Sequence, residues 1–269
     1  MMATTHAAAV YRDLSEAMQR FHYEVIDSTN SEARRLANAH ADQRLVVTAD
    51  RQSAGRGRHG RVWQSPPGGA WMSIVWPVEK EPRFYAPISL VTAVAVRRAL
   101  RDVACPDPAD LRIKWPNDVL LAGRKVAGIL CEQYPASASR PGVLIVGIGV
   151  NVSFDPGLVG DDLRHPATTL ATALGRDFAV TETIAAVTDR TSRAIETFER
   201  EGLSPAVLDE LQAHLAYVGT VQTWTSPRGT IRGRILGIDP AGRLRLESGG
   251  QEIACEVGEL ARETPGDAL

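Results

Sequence analysis

Seven consecutive residues, Gly55-Arg56-Gly57-Arg58-His59-Gly60-Arg61, interleave three glycines with three arginines. Glycine lets the backbone come close to a ligand, and the planar guanidinium fork fits a carboxylate or a phosphate. Such a loop is suited to wrap an anion, and its freedom implies an ordering step when the anion arrives. On the heptapeptide alone, a solvated basic loop or an RGG-like nucleic-acid segment stands on equal terms with that reading. Its place in a structured stretch, between a strand and Trp63, argues against the RGG option.

A second group, Lys114-Trp115-Pro116-Asn117-Asp118, sets a cation, an amide and a carboxylate around a proline that fixes the local backbone. Alone, it is also a candidate, though the lesser one, for a plain Asn-Asp turn. Lys125 opens the strand that follows, so Asp118 and Lys125 should meet at one end of a hairpin. In Gly147-Ile148-Gly149-Val150-Asn151 the glycines are two apart, so in a strand they leave the same face bare and a flat ligand can lie there. The third glycine of a G-x-G-x-x-G fingerprint is missing and no helix pattern follows, which excludes a dinucleotide site of that kind. No Walker A loop occurs either. Of six histidines only His59 lies in a motif, and no pair has metal-ligand spacing. With no Ser-His-Asp or Cys-His arrangement legible, covalent catalysis by the protein is not expected.

These groups need elements to hold them. A helix is expected over 29–39, where Thr29 and Glu32 have capping-box spacing and the first amides offer an anion site. Strands are expected at 45–49 and 71–78 around an aperiodic loop at 51–63, then a helix at 88–103. A hairpin pairs 119–121 with 125–132, and a buried-looking strand covers 143–152. Helices follow at 181–200 and 204–216, the second with Ser204 as N-cap and Pro205 at the first position. Short strands at 221–225, 230–238, 243–246 and 252–257 then give the pattern of a small barrel, with a boundary near Tyr217.

The composition sets outer limits. In 269 residues, 30 Lys plus Arg face 32 Asp plus Glu, and the net charge of −2 gives no overall footprint for nucleic acid or an anionic membrane. Any anion site must be local. The longest apolar run, Val143 to Val150, is far below the roughly 18 residues that span a bilayer. Cys105, Cys131 and Cys255 are too scattered for a disulfide framework or a zinc cage, and a reducing cytoplasm fits them best. The first residues read as a frayed leader, not a signal peptide.

In order along the chain, Asp27-Ser28-Thr29-Asn30, Gln52-Ser53-Ala54-Gly55-Arg56-Gly57-Arg58-His59-Gly60-Arg61, Lys114-Trp115-Pro116-Asn117-Asp118 and Arg124-Lys125-Val126-Ala127-Gly128-Ile129-Leu130 closely resemble the biotin protein ligases. With the Gly147 strand and the terminal β-module, the resemblance runs from about residue 23 to residue 260. It implies an α+β fold: a class II synthetase-like mixed β-sheet flanked by helices, plus a C-terminal SH3-like β-barrel. The expected parts are a flexible leader at 1–20, a catalytic biotin- and ATP-binding domain at 21–216 and the SH3-like domain at 217–264.

By the same resemblance, biotin and ATP with Mg²⁺ give biotinyl-5′-AMP, and biotin then passes to a lysine of a carboxylase's biotin carboxyl carrier domain. Biotin contacts fall on Ser28, Thr29, Asn30, Gln52, Gly55, Arg56, Gly57, Arg58, Lys125, Gly128 and Gly147. Nucleotide contacts fall on Arg58, Arg61, Trp63, Lys114, Asn117 and Asn151, and the catalytic set is Arg58, Asp118 and Lys125. No metal ligand is assigned. Trp71 and Cys131 depart from the family pattern and are expected to alter packing, not chemistry. Bifunctional members carry an N-terminal winged helix-turn-helix, for which the run before His22 is too short, so no specific DNA and no membrane partner is expected. The rival readings are a lipoate or octanoyl ligase or transferase of the same fold, and a nucleic-acid-binding module built on Arg56 to Arg61. The arginine loop with the Lys114 to Asp118 block argues against the first, and the net acidity against the second.

Overall fold

The structure, a computed structural model, describes residues 18–40, 42–104, 110–136, 141–159 and 166–260. Strand β1 (Gln19–Ile26), helix α1 (Thr29–Ala39), strand β2 (Leu45–Gln52) and strand β3 (Gly69–Val78) come first, with the basic loop between β2 and β3. Helix α2 (Ile88–Ala104) leads to strands β4 (Leu111–Lys114), β5 (Asp118–Leu121), β6 (Arg124–Tyr134) and β7 (Gly142–Asn151). Helices α3 (Leu170–Leu174), α4 (Val180–Glu201) and α5 (Pro205–His214) precede β8 (Val221–Ser226), β9 (Gly229–Ile238), β10 (Leu244–Ser248), β11 (Gln251–Cys255) and β12 (Glu259–Leu260).

The first seven strands form one mixed sheet in the order β1-β2-β3-β7-β6-β5-β4, parallel at β1–β2 and antiparallel elsewhere. Strand side chains alternate between faces, and that alternation sorts the core. Met72, Ile74 and Trp76 of β3 and Leu144, Val146 and Ile148 of β7 pack with α2 and α4 on one face. Val75, Val143 and Ile145 point the other way, against Ala33 and Ala37 of α1. The apolar side chains of α2 other than Val103 are buried, because that helix lies between the sheet and α4.

Three differences from the sequence expectations have physical causes. Ser28, not Thr29, precedes the first turn of α1, and the capping box does not form: Glu32 accepts from Tyr23 Oη at 2.7 Å and pairs with Arg35. Strand β1 escaped notice because it is a half-exposed edge whose residues show no clean alternation, and it begins inside the expected leader, of which residues 1–17 lie outside the described part. The terminal strands give an SH3-like antiparallel sheet in the order β11-β10-β9-β8-β12, but among the described residues β11 and β12 do not pair, so the barrel is not closed. Cys105 and residues 261–264 of the expected terminal domain also lie outside the described residues. Among the described residues no helix is long and apolar enough to cross a membrane.

Candidate functional site

Beyond α1, the sheet face that α1 covers continues into a cleft of about 350 Å³, in the range of small-molecule sites. Its floor is where β6 and β7 run side by side, with Gly128 registered on Gly149 and Leu130 on Gly147. The glycines do leave that face bare, but other side chains of the protein lie close to it. A Cβ on Gly147 would stand 2.7 Å from Asn30 Cγ, and one on Gly149 would stand 2.6 Å from Trp63 Nε1. A Cβ on Gly128 would meet the Trp63 ring at 2.8 Å and Lys125 Cε at 3.2 Å.

One end of the cleft is built of amides and hydroxyls tied together by hydrogen bonds. Gln52, the last residue of β2, accepts from the Thr29 amide at 2.7 Å and donates to Ser65 Oγ at 2.7 Å, joining the first turn of α1 to the far stem of the basic loop. Ser73 donates to Asn30 Oδ1 at 2.6 Å and lies 2.8 Å from Thr29 Oγ1. Asn30 in turn donates to Glu132 Oε2 at 2.9 Å, and Glu132 takes both terminal nitrogens of Arg56 at 2.8 and 2.9 Å. Ser28 is buried, with its amide donating to Asp27 Oδ1 at 2.7 Å. Arg35 holds the Asp27 carboxyl below its usual range.

The other end is charged. Lys114 and Asp118 are registered partners on β4 and β5, both buried, and Lys125 Nζ lies 2.6 Å from Asp118 Oδ1 and 4.9 Å from the centre of the Trp63 ring. The hairpin thus brings Asp118 and Lys125 together as its spacing implied. Between Lys114 and Asp118 the Trp115–Pro116 peptide is cis, and Asn117 faces the cleft, donating to Ile129 O at 2.8 Å and accepting from Arg58 at 3.2 Å. Burial pushes the Arg58 guanidinium down from its ordinary value, with Glu259 and Asp118 pulling it back up. Five cations, Arg56, Arg58, Arg61, Lys114 and Lys125, line the cleft against the carboxylates of Asp118 and Glu259, a local positive site on a chain of net charge −2.

The basic loop is anchored as well as glycine-rich. Trp63 N donates to Gly55 O at 2.9 Å and Gly57 N to Arg61 O at 2.7 Å. Gly55 is not on the cleft wall; a Cβ there would press on Ser65 Oγ at 2.7 Å and overlap the Trp63 carbonyl, so its glycine serves the loop stem. Arg58 donates to Gly258 O at 3.4 Å and Arg61 pairs with Glu259, so the terminal sheet closes the charged end. Asn151 also stands off the wall. It is buried and donates to Thr168 O at 3.0 Å and Lys125 O at 3.4 Å, fastening the ends of β6 and β7 to the segment that follows.

Sequence reasoning missed Ser73, Glu132, Gly258 and Glu259. Ser73 carried a faint signal, a polar residue inside an apolar strand, whereas Glu132 and Glu259 reach the site only through pairing that no local pattern reveals.

Sheet and cleft together set an end lined by amides and hydroxyls beside a cationic end in one small-molecule-sized cleft. Residues 22–151 match the model of the Biotin/lipoate A/B protein ligase family. The chain is 35% identical over 232 residues to the bifunctional ligase/repressor BirA of Bacillus subtilis, covering 84% of this chain and 69% of the relative. It is 31% identical over 239 residues to the biotin–[acetyl-CoA-carboxylase] ligase of Mycobacterium tuberculosis, covering 87% and 85%. The biotin protein ligase of Aquifex aeolicus, solved in complex with biotin and ATP, superposes with a TM-score of 0.76 at 26% identity, over 91% of this chain and 98% of that one. The chain belongs to the biotin protein ligase family.

Proposed function

We infer that this chain is an ATP-dependent biotin protein ligase that makes biotinyl-5′-AMP and pyrophosphate, then acylates a lysine of a biotin carboxyl carrier domain. The observation that carries the reading is the joining, in one cleft, of an amide-lined, glycine-floored end at Asn30 and Gln52 to a cationic end at Arg58 and Lys125. In this reading biotin lies at the Gly147 and Leu130 end of the floor beside Asn30, Trp63 covers Gly128 and Gly149, and the biotin carboxylate points at the cations.

In the first step a biotin carboxylate oxygen attacks the α-phosphorus of ATP, the bond to the β-phosphate oxygen breaks, and pyrophosphate leaves. The approach of two anions costs about 4 kcal/mol at 4 Å in an effective dielectric of 20. Arg58 and Lys125 offset it with fixed positive charge, and burial of Arg58 strengthens its effect. Arg61, Trp63, Lys114 and Asn117 are assigned to the nucleotide side, whereas Asn151 and Gly55 act by supporting the wall. Among the described residues no group of three or more His, Cys, Asp or Glu is placed to hold a metal, so Mg²⁺ is proposed to arrive on the phosphate oxygens of ATP.

In the second step the acceptor amine attacks the acyl carbon, loses a proton, and AMP leaves. With a pKa near 10.4, only about 0.1% of that amine is neutral at pH 7.4. Asp118, 2.6 Å from Lys125, is assigned the roles of holding Lys125 and then orienting the amine. No DNA-binding role is proposed. The test is incubation of the full chain with biotin, ATP, Mg²⁺ and a biotin carboxyl carrier domain. Covalent biotin on the carrier lysine is expected. Labelling by lipoate and not by biotin would replace the substrate, and no labelling by either would remove the function.

A further inference from the structure

We propose that Trp71 is a positioning residue that sets where Trp63 stands over the glycine floor, and so governs the nucleotide side of the cleft without touching a ligand. The proposal rests on the ligase reading for its kinetic consequence but on geometry for its cause. Trp71 is fully buried on β3, registered opposite Gly149, and does not line the cleft. Its Nε1 donates to Pro66 O at 2.9 Å, three residues after Trp63, and so ties down the stem on which Trp63 is carried. Its ring meets the Trp63 ring edge-on, with centroids 6.4 Å apart at 75°, and rests on Phe154 at 6.0 Å. Gly69 makes this possible, because any Cβ there would overlap the Trp71 indole.

Trp63 is held by shape. Its own Nε1 is buried with no hydrogen-bond partner among the described residues. Gly128 and Gly149 lie beneath it, Lys125 Nζ lies over its ring, and the edge of Trp71 forms the side wall. An indole located by packing moves when a packing partner shrinks, whereas one fixed by a hydrogen bond would not. Ser73, Asn30 and Gln52, at the other end of the cleft, share no hydrogen bond with Trp71. Shortening Trp71 should therefore affect ATP more than biotin, which feels the change only through the Gln52–Ser65 bond one residue before Pro66.

The experiment uses the full chain labelled with 5-fluorotryptophan, whose five indoles give separate ¹⁹F signals, the Trp63 signal being identified by its loss in Trp63→Phe. In Trp71→Phe the Trp63 signal should shift or broaden without any ligand, while those of Trp115 and Trp224 stay in place. By pyrophosphate exchange, KM for ATP should rise at least fivefold and KM for biotin should stay within twofold. Trp71→Tyr, which adds a hydroxyl donor to the same ring, should recover part of the ATP effect and serves as the test variant if Trp71→Phe folds poorly. An unmoved Trp63 signal, or KM values for ATP and biotin that rise together, would overturn the proposal. The ¹⁹F result stands even if the unaltered chain shows no exchange, which is how failure of the ligase reading is told apart.

Discussion

Gly147→Ala should unsettle cleft and fold together, whereas Gly149→Ala, two residues further on the same strand, should disturb chiefly the cleft. The three atoms nearest a Cβ at Gly147 all belong to the Asn30 carboxamide. Asn30 yields only by giving up its bonds: Ser73 Oγ to Oδ1 at 2.6 Å, and Nδ2 to Glu132 Oε2 at 2.9 Å and to Leu130 O at 3.3 Å. Each contributes about 0.5–1.5 kcal/mol net, so losing all three costs about 1.5–4.5 kcal/mol. At about 2–4 °C per kcal/mol for a chain of this size, the midpoint falls by about 3–18 °C. At Gly149 the obstacle is the half-buried Trp63 indole, whose nitrogen has no bond to lose and which can shift into the open cleft, so the cost should sit at the low end for overpacking, about 1 kcal/mol. Thermal unfolding followed by circular dichroism measures both, along with Asn30→Ala and the Asn30→Ala/Gly147→Ala pair. Without the carboxamide the added methyl has lost its obstacle, so the second change should cost under about 1 kcal/mol in that background. An equal cost of Gly147→Ala in both backgrounds would show that Asn30 is not what the glycine makes room for.

Lys125→Ala should slow single-turnover adenylate formation by about 10² to 10³; a rate within about threefold of wild type, under roughly 0.7 kcal/mol, would place Lys125 outside the chemistry. It should also lower the melting temperature, because Asp118 loses the charge 2.6 Å away, and adding Asp118→Asn should restore part of that loss. Glu259→Gln, which weakens the hold of the terminal sheet on Arg61, should speed tryptic cutting after Arg61 in the unliganded chain, and biotin with ATP should slow it again; equal rates would mean that the pair does not restrain the loop. Burial pushes the Asp239 carboxyl up, but the Arg243 amide and guanidinium and the Ala241 amide outweigh it and leave it below its usual range. A lowered pKa stabilises above the unfolded value near 3.9 and the gain is lost as pH falls through the folded value, so the stability gap between wild type and Asp239→Ala should be fullest near neutral pH and narrow as pH falls below about 3.9.

Much of the site was legible because it is written locally. The two glycines of β7 read as a bare face, and β-alternation delivered that; the hairpin turn delivered the Asp118–Lys125 pair. The helices at α2, α4 and α5 followed from apolar spacing within a few residues. What escaped depends on partners far along the chain. Glu132 reaches Asn30 and Arg56 across gaps of 102 and 76 residues, and Gly258 meets Arg58 across 200. Strand β4, four residues long, gives too little alternation to read, and the open terminal sheet differs from the expected barrel because edge pairing is a property of the fold and not of any one strand. Asn151 and Gly55, assigned to ligand contacts by the resemblance, also fasten strand ends and fit a loop stem, roles no local pattern announced.

Biotin-dependent exchange of labelled pyrophosphate into ATP, with Mg²⁺ present and no carrier, tests most directly whether this cleft joins biotin to the α-phosphate. Exchange that requires biotin, is not supported by lipoate and falls with Lys125→Ala is the predicted result. Exchange that ignores biotin, or none at all from a folded chain, would contradict it.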